Sequence, residues 1–387
     1  MFSVEKQIEV WKKVAYDSAL LEAVEHSDVF QVNAISALRK KWSAEEVSVA
    51  IELMRARSSA LGRLENAKTI ISDLEGVQQT SSSAVAKWKA KRFVKCEHVV
   101  DLCCGIGGDL LYLPEHAIGV DINPLRCWMA QQNAAKKVDC CDVLSYKELK
   151  NSMILIDPSR RDARGRRLTL DEMQPPISTV QEICKQVRGG CVKLSPAINI
   201  EDVAEIGALQ EVEYIEDRGR VTQGLVWFNE LVQGDCEVTA TSLTKGESIS
   251  GFVETPRIFG EFGKCIFEPN PALERAKLHG KLANELDFWE PAFGLGLLCG
   301  DEFNESKWFT AFEVLSITSL RVEKVSDALR TLNAGEVEVK TRGGVIDPDV
   351  WQKKLQKPAN DLNERLTVFA LRVGKKRVAV ITRRVKP

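Results

Sequence analysis

The stretch that decides the fold is Val99-Val100-Asp101-Leu102-Cys103-Cys104-Gly105-Ile106-Gly107-Gly108-Asp109. It begins with a short apolar run that contains a carboxylate, which predicts a buried strand. Gly105, Gly107 and Gly108 lack a Cβ, so the backbone there is able to take a positive φ and approach a ligand closely. The following Leu110-Leu111 run predicts a helix packed against the sheet. The stretch therefore predicts a nucleotide-like ligand at the end of a strand.

A second predicted strand follows, Ala117-Ile118-Gly119-Val120-Asp121, and it also ends in an acid. Strand, glycine turn, helix and strand form one nucleotide-binding β-α-β unit, in which an acid at the second strand end binds ribose hydroxyls. A dinucleotide fingerprint requires G-x-G-x-x-G, but counting from Gly105 the last position is Leu110. The pattern therefore excludes the dinucleotide form.

Further motifs follow in a fixed order. Asp101-x-x-x-Gly105-x-Gly107 resembles motif I of class I S-adenosylmethionine-dependent methyltransferases, with Cys103 where that motif commonly has its first glycine. The positions of motifs II, III and IV are held by Asp121, by Cys141-Asp142-Val143 and by Ile154-Leu155-Ile156-Asp157-Pro158. The resemblance implies S-adenosyl-L-methionine as cofactor. Its implied contacts are the glycine turn (Gly105, Gly107, Gly108) at the methionine part, Asp121 at the ribose and Asp142 at the adenine amine. A carboxylate near the positively charged sulfonium, Asp101 or Asp157, suits it electrostatically.

A narrower resemblance comes from the residues after motif IV. Asp157-Pro158-Ser159-Arg160-Arg161, Gln174-Pro175-Pro176 and Val192-Lys193-Leu194-Ser195-Pro196 resemble bacterial class I methyltransferases that carry a THUMP-like C-terminal domain. Matching pieces are Ala86–Phe93 near one end and Val339-Lys340-Thr341-Arg342-Gly343 near the other. This resemblance implies a cofactor and a fold more firmly than it implies a reaction.

The pattern of apolar residues predicts the domain organisation. Residues 1–93 have helical spacing and predict a helical lead-in domain, and residues 94–244 alternate strands and helices. That alternation predicts an α/β class I methyltransferase domain with a Rossmann-like, seven-stranded sheet. Residues 245–264 predict a linker or a strand pair. Residues 265–387 predict a small α+β domain, which the resemblance identifies as THUMP-like.

Composition excludes several classes of protein. The 387 residues are 44% hydrophobic and 28% charged, which is typical of a soluble globular chain with two or three domains. Apolar runs stay short of the roughly 20 residues that cross a bilayer, and Met1 to Lys13 lacks a signal-peptide core, so we expect a cytoplasmic protein. The eleven cysteines contain no C-x-x-C pair, which favours reduced thiols and no metal site.

Motif IV differs from that of amino-methyltransferases, which have an aromatic residue after an acid or amide and two prolines. Here Ser159 and Arg160 follow Asp157-Pro158, so the aromatic residue is missing. Nor is there a Pro-Cys dipeptide, whose cysteine serves in carbon methylation of pyrimidines. We expect Asp157, Pro158, Arg160 and Arg161 to act at the transfer site. Arg164, Arg166 and Lys193 are predicted to bind an anionic substrate, because a guanidinium binds phosphate or carboxylate at two points. An exposed arginine loop paired with acids of neighbouring helices is the alternative.

Charge distribution predicts the partner. Between Lys340 and Pro387 there are thirteen Lys or Arg and four acids, which favours a phosphate backbone, although a basic edge strand that blocks further pairing is the alternative. The cations of the lead-in helices face either nucleic acid or solvent. The sequence thus predicts a methyltransferase acting on RNA. An inactive methyltransferase fold that binds RNA, and a methyltransferase for a small anionic substrate, are open alternatives, and the oligomeric state is not predicted.

Overall fold

The computed structural model describes residues 3–159, 172–199, 206–355 and 364–385. The chain divides into two compact units. The first comprises Met1–Glu211 and Gln223–Gly234, and the second comprises Val212–Thr222 and Asp235–Pro387. Residues 1–93, predicted as a separate lead-in domain, therefore fall in the same unit as the nucleotide-binding β-α-β motif.

The lead-in helices begin at well-defined caps. Ser43 and Glu46 form a reciprocal capping box, and the Ser82 side chain caps the last helix. One hydrophobic core lies among the lead-in helices, whereas a second also contains Ile106 and Trp128, which lie beyond the first strand. The lead-in therefore packs directly on the nucleotide-binding half of the first unit. Its helices are α1 (Val4–Ala15), α2 (Ser18–Glu25), α3 (Val32–Leu38), α4 (Ala44–Ala60), α5 (Leu74–Gln79) and α6 (Ser83–Ala90).

The large sheet has the predicted Rossmann-like architecture. Its strands are β1 (Val99–Leu102), β2 (Ile118–Asp121), β3 (Val138–Cys140), β4 (Met153–Ile156), β5 (Gly189–Leu194), β6 (Gln210–Asp217), β7 (Arg220–Asn229), β8 (Val238–Ser242) and β9 (Glu247–Gly251). They are hydrogen-bonded in the order β3-β2-β1-β4-β5-β7-β6-β8-β9. Strands β1 to β5 pair in parallel and β7 pairs antiparallel to β5. The first seven strands confirm the predicted fold class, and β8 and β9 extend the sheet.

Among the described residues, two α-helices connect strands of this sheet, α7 (Pro124–Ala134) and α8 (Ile177–Cys184). The prediction of a helix after the glycine turn is wrong, because the structure has only a three-residue 3-10 helix there, at Leu110–Tyr112. Pro114 follows within two residues of this turn and prevents a longer helix. The buried Lys136 ammonium donates instead to the carbonyls of Leu110 and Leu113, at 2.8 and 2.9 Å. These bonds satisfy carbonyl groups that a full helix would have paired internally.

The second unit contains an eight-stranded sheet with the order β10-β12-β13-β11-β14-β17-β16-β15. Its strands are β10 (Arg257–Ile258), β11 (Cys265–Pro269), β12 (Trp289–Glu290), β13 (Leu298–Gly300), β14 (Phe309–Ser319), β15 (Ala334–Thr341), β16 (Glu364–Val373) and β17 (Lys376–Arg384). Its helices are α9 (Pro271–Arg275), α10 (His279–Glu285), α11 (Val322–Thr331) and α12 (Pro348–Leu355). This mixture of strands and helices agrees with the α+β region predicted for residues 265–387. Residues 245–264 contain β9 and β10.

No helix in the described part of the chain is long and apolar enough to cross a membrane. None of the eleven cysteines, all of which lie in the described ranges, forms a disulfide. Within the same described ranges, no group of three or more His, Cys, Asp or Glu side chains is placed to hold a metal ion.

Candidate active site

The acids predicted at strand ends lie along one edge of the large sheet. Leu102 of β1 pairs with Val120 of β2 and with Ile156 of β4, and Ile156 pairs with Val192 of β5. The next residue on each strand is Cys103, Asp121, Asp157 or Lys193, respectively. Because side chains alternate along a strand, residues in one register row share a face of the sheet. The carboxyl edge therefore presents these four side chains side by side.

The glycine turn and the second strand are joined by a hydrogen bond. The backbone N–H of Gly105 donates to Asp121 Oδ2 at 2.9 Å, and the N–H of Asn123 donates to Asp121 Oδ1 at 2.9 Å. Gly105 has a φ of +56°, and a Cβ built on it meets no atom within 4 Å. Burial raises the pKa of the half-buried Asp121 above its ordinary value, against the lowering effect of these hydrogen bonds. The turn thus leaves open space beside an anchored carboxyl group.

Cys103 adopts a φ of +59°, in the left-handed region that glycine enters without strain. This conformation explains why glycine is common at this position of motif I in class I methyltransferases, the family that the sequence resembles. Burial raises the pKa of the Cys103 thiol, so it stays protonated at neutral pH.

Gly107 and Gly108 are positions of close approach rather than of open space. A Cβ on Gly107 would lie 3.0 Å from the Ala130 Cα in α7. A Cβ on Gly108 would lie 1.8 Å from Thr80 Oγ1, in the loop before α6. The lead-in segment therefore lies directly against the glycine turn, which the sequence did not predict.

Asp142 lies beside the end of β2, because the Cys141 N–H donates to the Asp121 carbonyl at 3.1 Å. It is exposed, and its Oδ1 accepts from the Leu144 N–H at 2.9 Å, which is a local turn bond. The structure thus brings the predicted motif II and motif III acids next to each other.

Asp157 and Lys193 form an ion pair, and the Lys193 ammonium also lies 3.5 Å from the Gln79 carbonyl. Lys193 is buried, with 3% of its surface exposed, and about a quarter of the Asp157 side chain (26%) is accessible. Pro158 is buried, and Ser159 is held by two backbone hydrogen bonds with Gln174, of 2.8 and 2.9 Å. The charge of Lys193, predicted to attract a substrate anion, is balanced by Asp157 instead. Arg160, Arg161, Arg164 and Arg166 lie outside the described residues.

A buried polar cluster beside these groups was missed at the sequence level. The Lys89 ammonium, with 0% of its surface exposed, donates to Asp109 Oδ2 at 2.7 Å and to Ser81 Oγ at 3.0 Å. Gln223 Nε2 donates to the same Ser81 oxygen at 2.8 Å. Burial is the largest single effect on the pKa of Asp109 and raises it, but the charges of Lys89 and Lys193 and the hydrogen bonds from Lys89 and Ser81 together lower this pKa below its ordinary value. Lys89 is one of the lead-in cations that were expected to face nucleic acid or solvent. No local sequence signal indicated that its ammonium group is buried against Asp109.

Other lead-in cations are also used internally. Arg92 forms two bonds with the Glu211 carboxylate, of 2.6 and 2.9 Å. Arg63 donates to the carbonyls of Val77 and Thr80, and Arg57 donates to that of Ile70. These three cations therefore have hydrogen-bond partners within the first unit.

Comparison with known proteins identifies the chain. Its residues 309–384 match the family described as THUMP domain-like. Over 290 residues the chain is 30% identical to an uncharacterised S-adenosylmethionine-dependent methyltransferase of Mycobacterium tuberculosis, known from strains H37Rv and CDC 1551. The match covers 73% of this chain and 80% of the relative. The chain belongs to the S-adenosylmethionine-dependent methyltransferases.

The fold of this methyltransferase also matches a solved structure over its full length. A Porphyromonas gingivalis W83 protein described as a methyltransferase superposes with a TM-score of 0.73, at 15% sequence identity, covering 100% of both chains. At that identity the similarity concerns the fold alone.

The residues of the methyltransferase's carboxyl edge fit its cofactor. Asp101, with 2% of its surface exposed, has an Oδ2 atom without a hydrogen-bond partner among the described residues. Asp109 Oδ1 and Gln223 Oε1 are likewise buried and unpartnered there. These acceptor oxygens and the open side of Gly105 suit a positively charged ligand with several N–H and O–H donors. When bound, S-adenosyl-L-methionine supplies a methyl group on a positively charged sulfur.

Proposed function

We propose that this methyltransferase transfers the methyl group of S-adenosyl-L-methionine to RNA. The transfer takes place at the carboxyl edge of β1, β2, β4 and β5. In this proposal Asp121 binds the ribose hydroxyls and the glycine turn of Gly105, Gly107 and Gly108 approaches the methionine part. Asp142 accepts from the adenine amine. Asp101, buried near Asp109, lies on the sulfonium side of the cofactor in this proposal. These assignments are supported by the anchored Asp121 and the open side of Gly105.

The acceptor group of the substrate would enter beside Asp157 and Pro158. Methyl transfer requires chiefly alignment of the nucleophile, the methyl carbon and the sulfur. Lys193 holds the Asp157 carboxylate in place, so this acid presents a fixed acceptor to the incoming group. Arg160 and Arg161 are proposed to hold the acceptor at the transfer site, and Arg164 and Arg166 to bind neighbouring phosphates.

The observation that carries the choice of RNA is the charge of the chain's last segment. From Arg365 to Pro387 there is no Asp or Glu, while the whole chain has a net charge of −2. The positive charge is therefore local, and a local excess of Lys and Arg attracts a phosphate backbone. The segment lies largely within the match to the THUMP domain-like family. Its Lys and Arg are Arg365, Arg372, Lys375, Lys376, Arg377, Arg383, Arg384 and Lys386.

The test is transfer of radiolabelled methyl groups from S-adenosyl-L-methionine to total RNA from a strain that lacks the gene. We expect ribonuclease-sensitive label with the wild type and none with Asp121→Ala. Asp139→Asn is the matched control, because Asp139 pairs with Val120 on the neighbouring strand and carries a partly exposed acid. This control should label RNA as the wild type does.

The two open alternatives give different results. A protein that crosslinks to RNA and binds no cofactor would be an RNA-binding module with the methyltransferase fold. Label that appears only in ribonuclease-resistant small molecules would identify a small anionic substrate. Either result would replace RNA methylation as the function.

A further inference from the structure

The hairpin tip of the second unit, residues 372–377, carries an unusual pairing of charges. Strands β16 and β17 are joined there by Gly374 and Lys375. Arg372 lies directly opposite Arg377, and Val373 lies opposite Lys376. Four cations, Arg372, Lys375, Lys376 and Arg377, therefore occupy six consecutive residues.

All four cations are exposed, and none has an ion-pair partner among the described residues. Other cations of the same sheet are paired with acids. Arg383 contacts Glu313 and Glu364, and Lys340 contacts Glu268. The hairpin tip therefore differs from the body of the sheet, where acids balance the positive charge.

Folding stability gives no reason for this arrangement. Like charges directly opposite each other on neighbouring strands destabilise a sheet. Both strands are covered over most of their length, but β15 pairs with β16 only as far as Ala370, so residues 371–373 form a short edge at the tip. Protection of this edge concerns Arg372 alone, because Lys375 lies in the turn and the carbonyl of Arg377 on β17 accepts from the Leu320 N–H. An anionic partner is the remaining source of a favourable interaction.

The positive surface continues onto the segment before α11. The Leu320 N–H donates to the Arg377 carbonyl at 3.1 Å, which places the exposed Arg321 next to the hairpin tip. Along the chain, the acid nearest to Arg321 is Glu323, in the first turn of α11.

We propose that the hairpin tip is the surface by which this protein binds the phosphate backbone of its RNA substrate. The inference rests on the proposed function and assigns its binding step to four residues. Arginines bind phosphate at two points and lysines act as point charges, so the four side chains suit successive phosphates without reading sequence.

The experiment measures binding of a fluorescein-labelled RNA hairpin by the full-length protein over a range of salt concentrations. The tip variant combines Arg372→Gln, Lys375→Gln, Lys376→Gln and Arg377→Gln. The control variant combines Arg257→Gln, Lys264→Gln, Lys307→Gln and Arg330→Gln, which are exposed cations, so it removes the same charge from other parts of the same unit. Thermal unfolding of both variants shows whether they are folded.

We expect the tip variant to bind RNA at least ~10-fold more weakly and the control variant less than ~3-fold more weakly. The slope of log K against log salt should decrease by roughly 0.7 to 0.9 for each phosphate that the variant no longer neutralises. The melting temperature of the tip variant should equal or exceed that of the wild type, because a repulsive cross-strand pair is removed.

Equal weakening by both variants, or none by the tip variant, would overturn the inference. Methyl transfer to RNA by the wild type distinguishes this failure from failure of the proposed function. If the wild type methylates RNA and the tip variant has the same KM, only the hairpin-tip assignment is wrong. If RNA binding depends on the tip but no RNA is methylated, the assignment stands and the proposed function fails.

Discussion

Lys89 of α6 donates to Asp109 Oδ2 at 2.7 Å, and both side chains are buried. One residue belongs to the lead-in helices and the other directly follows the glycine turn. The bond therefore ties the lead-in to the candidate cofactor site within a single folding unit. The same Asp109 oxygen also accepts from Ser81 at 2.9 Å.

Lys89→Met should destabilise the protein by roughly 3–5 kcal/mol, because it leaves the buried Asp109 carboxylate without its counter-charge. Urea unfolding measures this change. Lys87→Met is the matched control on the same helix, since Lys87 is exposed in its pair with Glu65, and it should cause no measurable change. Equal stability of the two variants would contradict the importance of the buried pair.

Gly108→Ala should destabilise the protein by about 1–3 kcal/mol, because the new methyl group meets Thr80 Oγ1. Thr80→Ala removes that oxygen atom, so the double variant should recover most of the stability. Thermal unfolding of the two single variants and the double variant measures the coupling. Additive effects would show that the lead-in loop does not contact the glycine turn.

Asp121→Ala should abolish or strongly weaken binding of S-adenosyl-L-methionine in isothermal titration calorimetry. Each hydrogen bond to a charged group contributes about 1.5–3 kcal/mol, so removal of two hydrogen bonds to the ribose predicts at least ~100-fold weaker binding. Unchanged affinity in a folded Asp121→Ala variant would place the ribose elsewhere.

Asp101 should make stability depend on pH. Burial, followed by the nearby Asp109 charge, raises the pKa of Asp101 well above its ordinary value. The folded state therefore holds this proton at pH values where the unfolded chain has released it. The contribution of Asp101 to stability is complete below the unfolded pKa and is lost as pH rises towards the folded pKa.

The measurement is the melting temperature of wild type and Asp101→Asn between pH 4 and pH 8. Asparagine does not titrate, so the variant should gain stability relative to the wild type as pH rises. A difference that stays constant over this range would show that Asp101 has the same pKa in both states.

Replacement of Arg160 and Arg161 by alanine should leave cofactor affinity nearly unchanged, because the cofactor is proposed to lie on β1 to β3. Substrate binding or turnover should fall by about 1.5–3 kcal/mol for each charge-assisted hydrogen bond that is removed. Lys147→Ala with Lys150→Ala, at two exposed cations before β4, is the control. Loss of cofactor affinity or of folding in the arginine variant would show that these residues are structural.

The positions of strands and of the glycine turn were predictable from the sequence because their signals are local. Apolar runs of four to six residues specify β1, β2 and β4 as buried strands, and an acid in or just after each run marks the carboxyl edge. Register then follows from parallel pairing, so Asp121 and Asp157 lie on one edge as expected. The terminal hairpin and α12 also follow local patterns of apolar residues.

Only the tertiary structure decided which charges are paired. Lys89 and Lys193 have ordinary sequence surroundings, yet Lys89 is buried against Asp109 and Lys193 is neutralised by Asp157. The helix expected after the glycine turn is replaced by a short 3-10 turn, because Pro114 stops it and the distant Lys136 donates to carbonyls that such a helix would have paired. The partner of a charged side chain depends on packing between segments far apart in the chain. Periodicity describes which face of a segment is apolar, and so it does not contain this information.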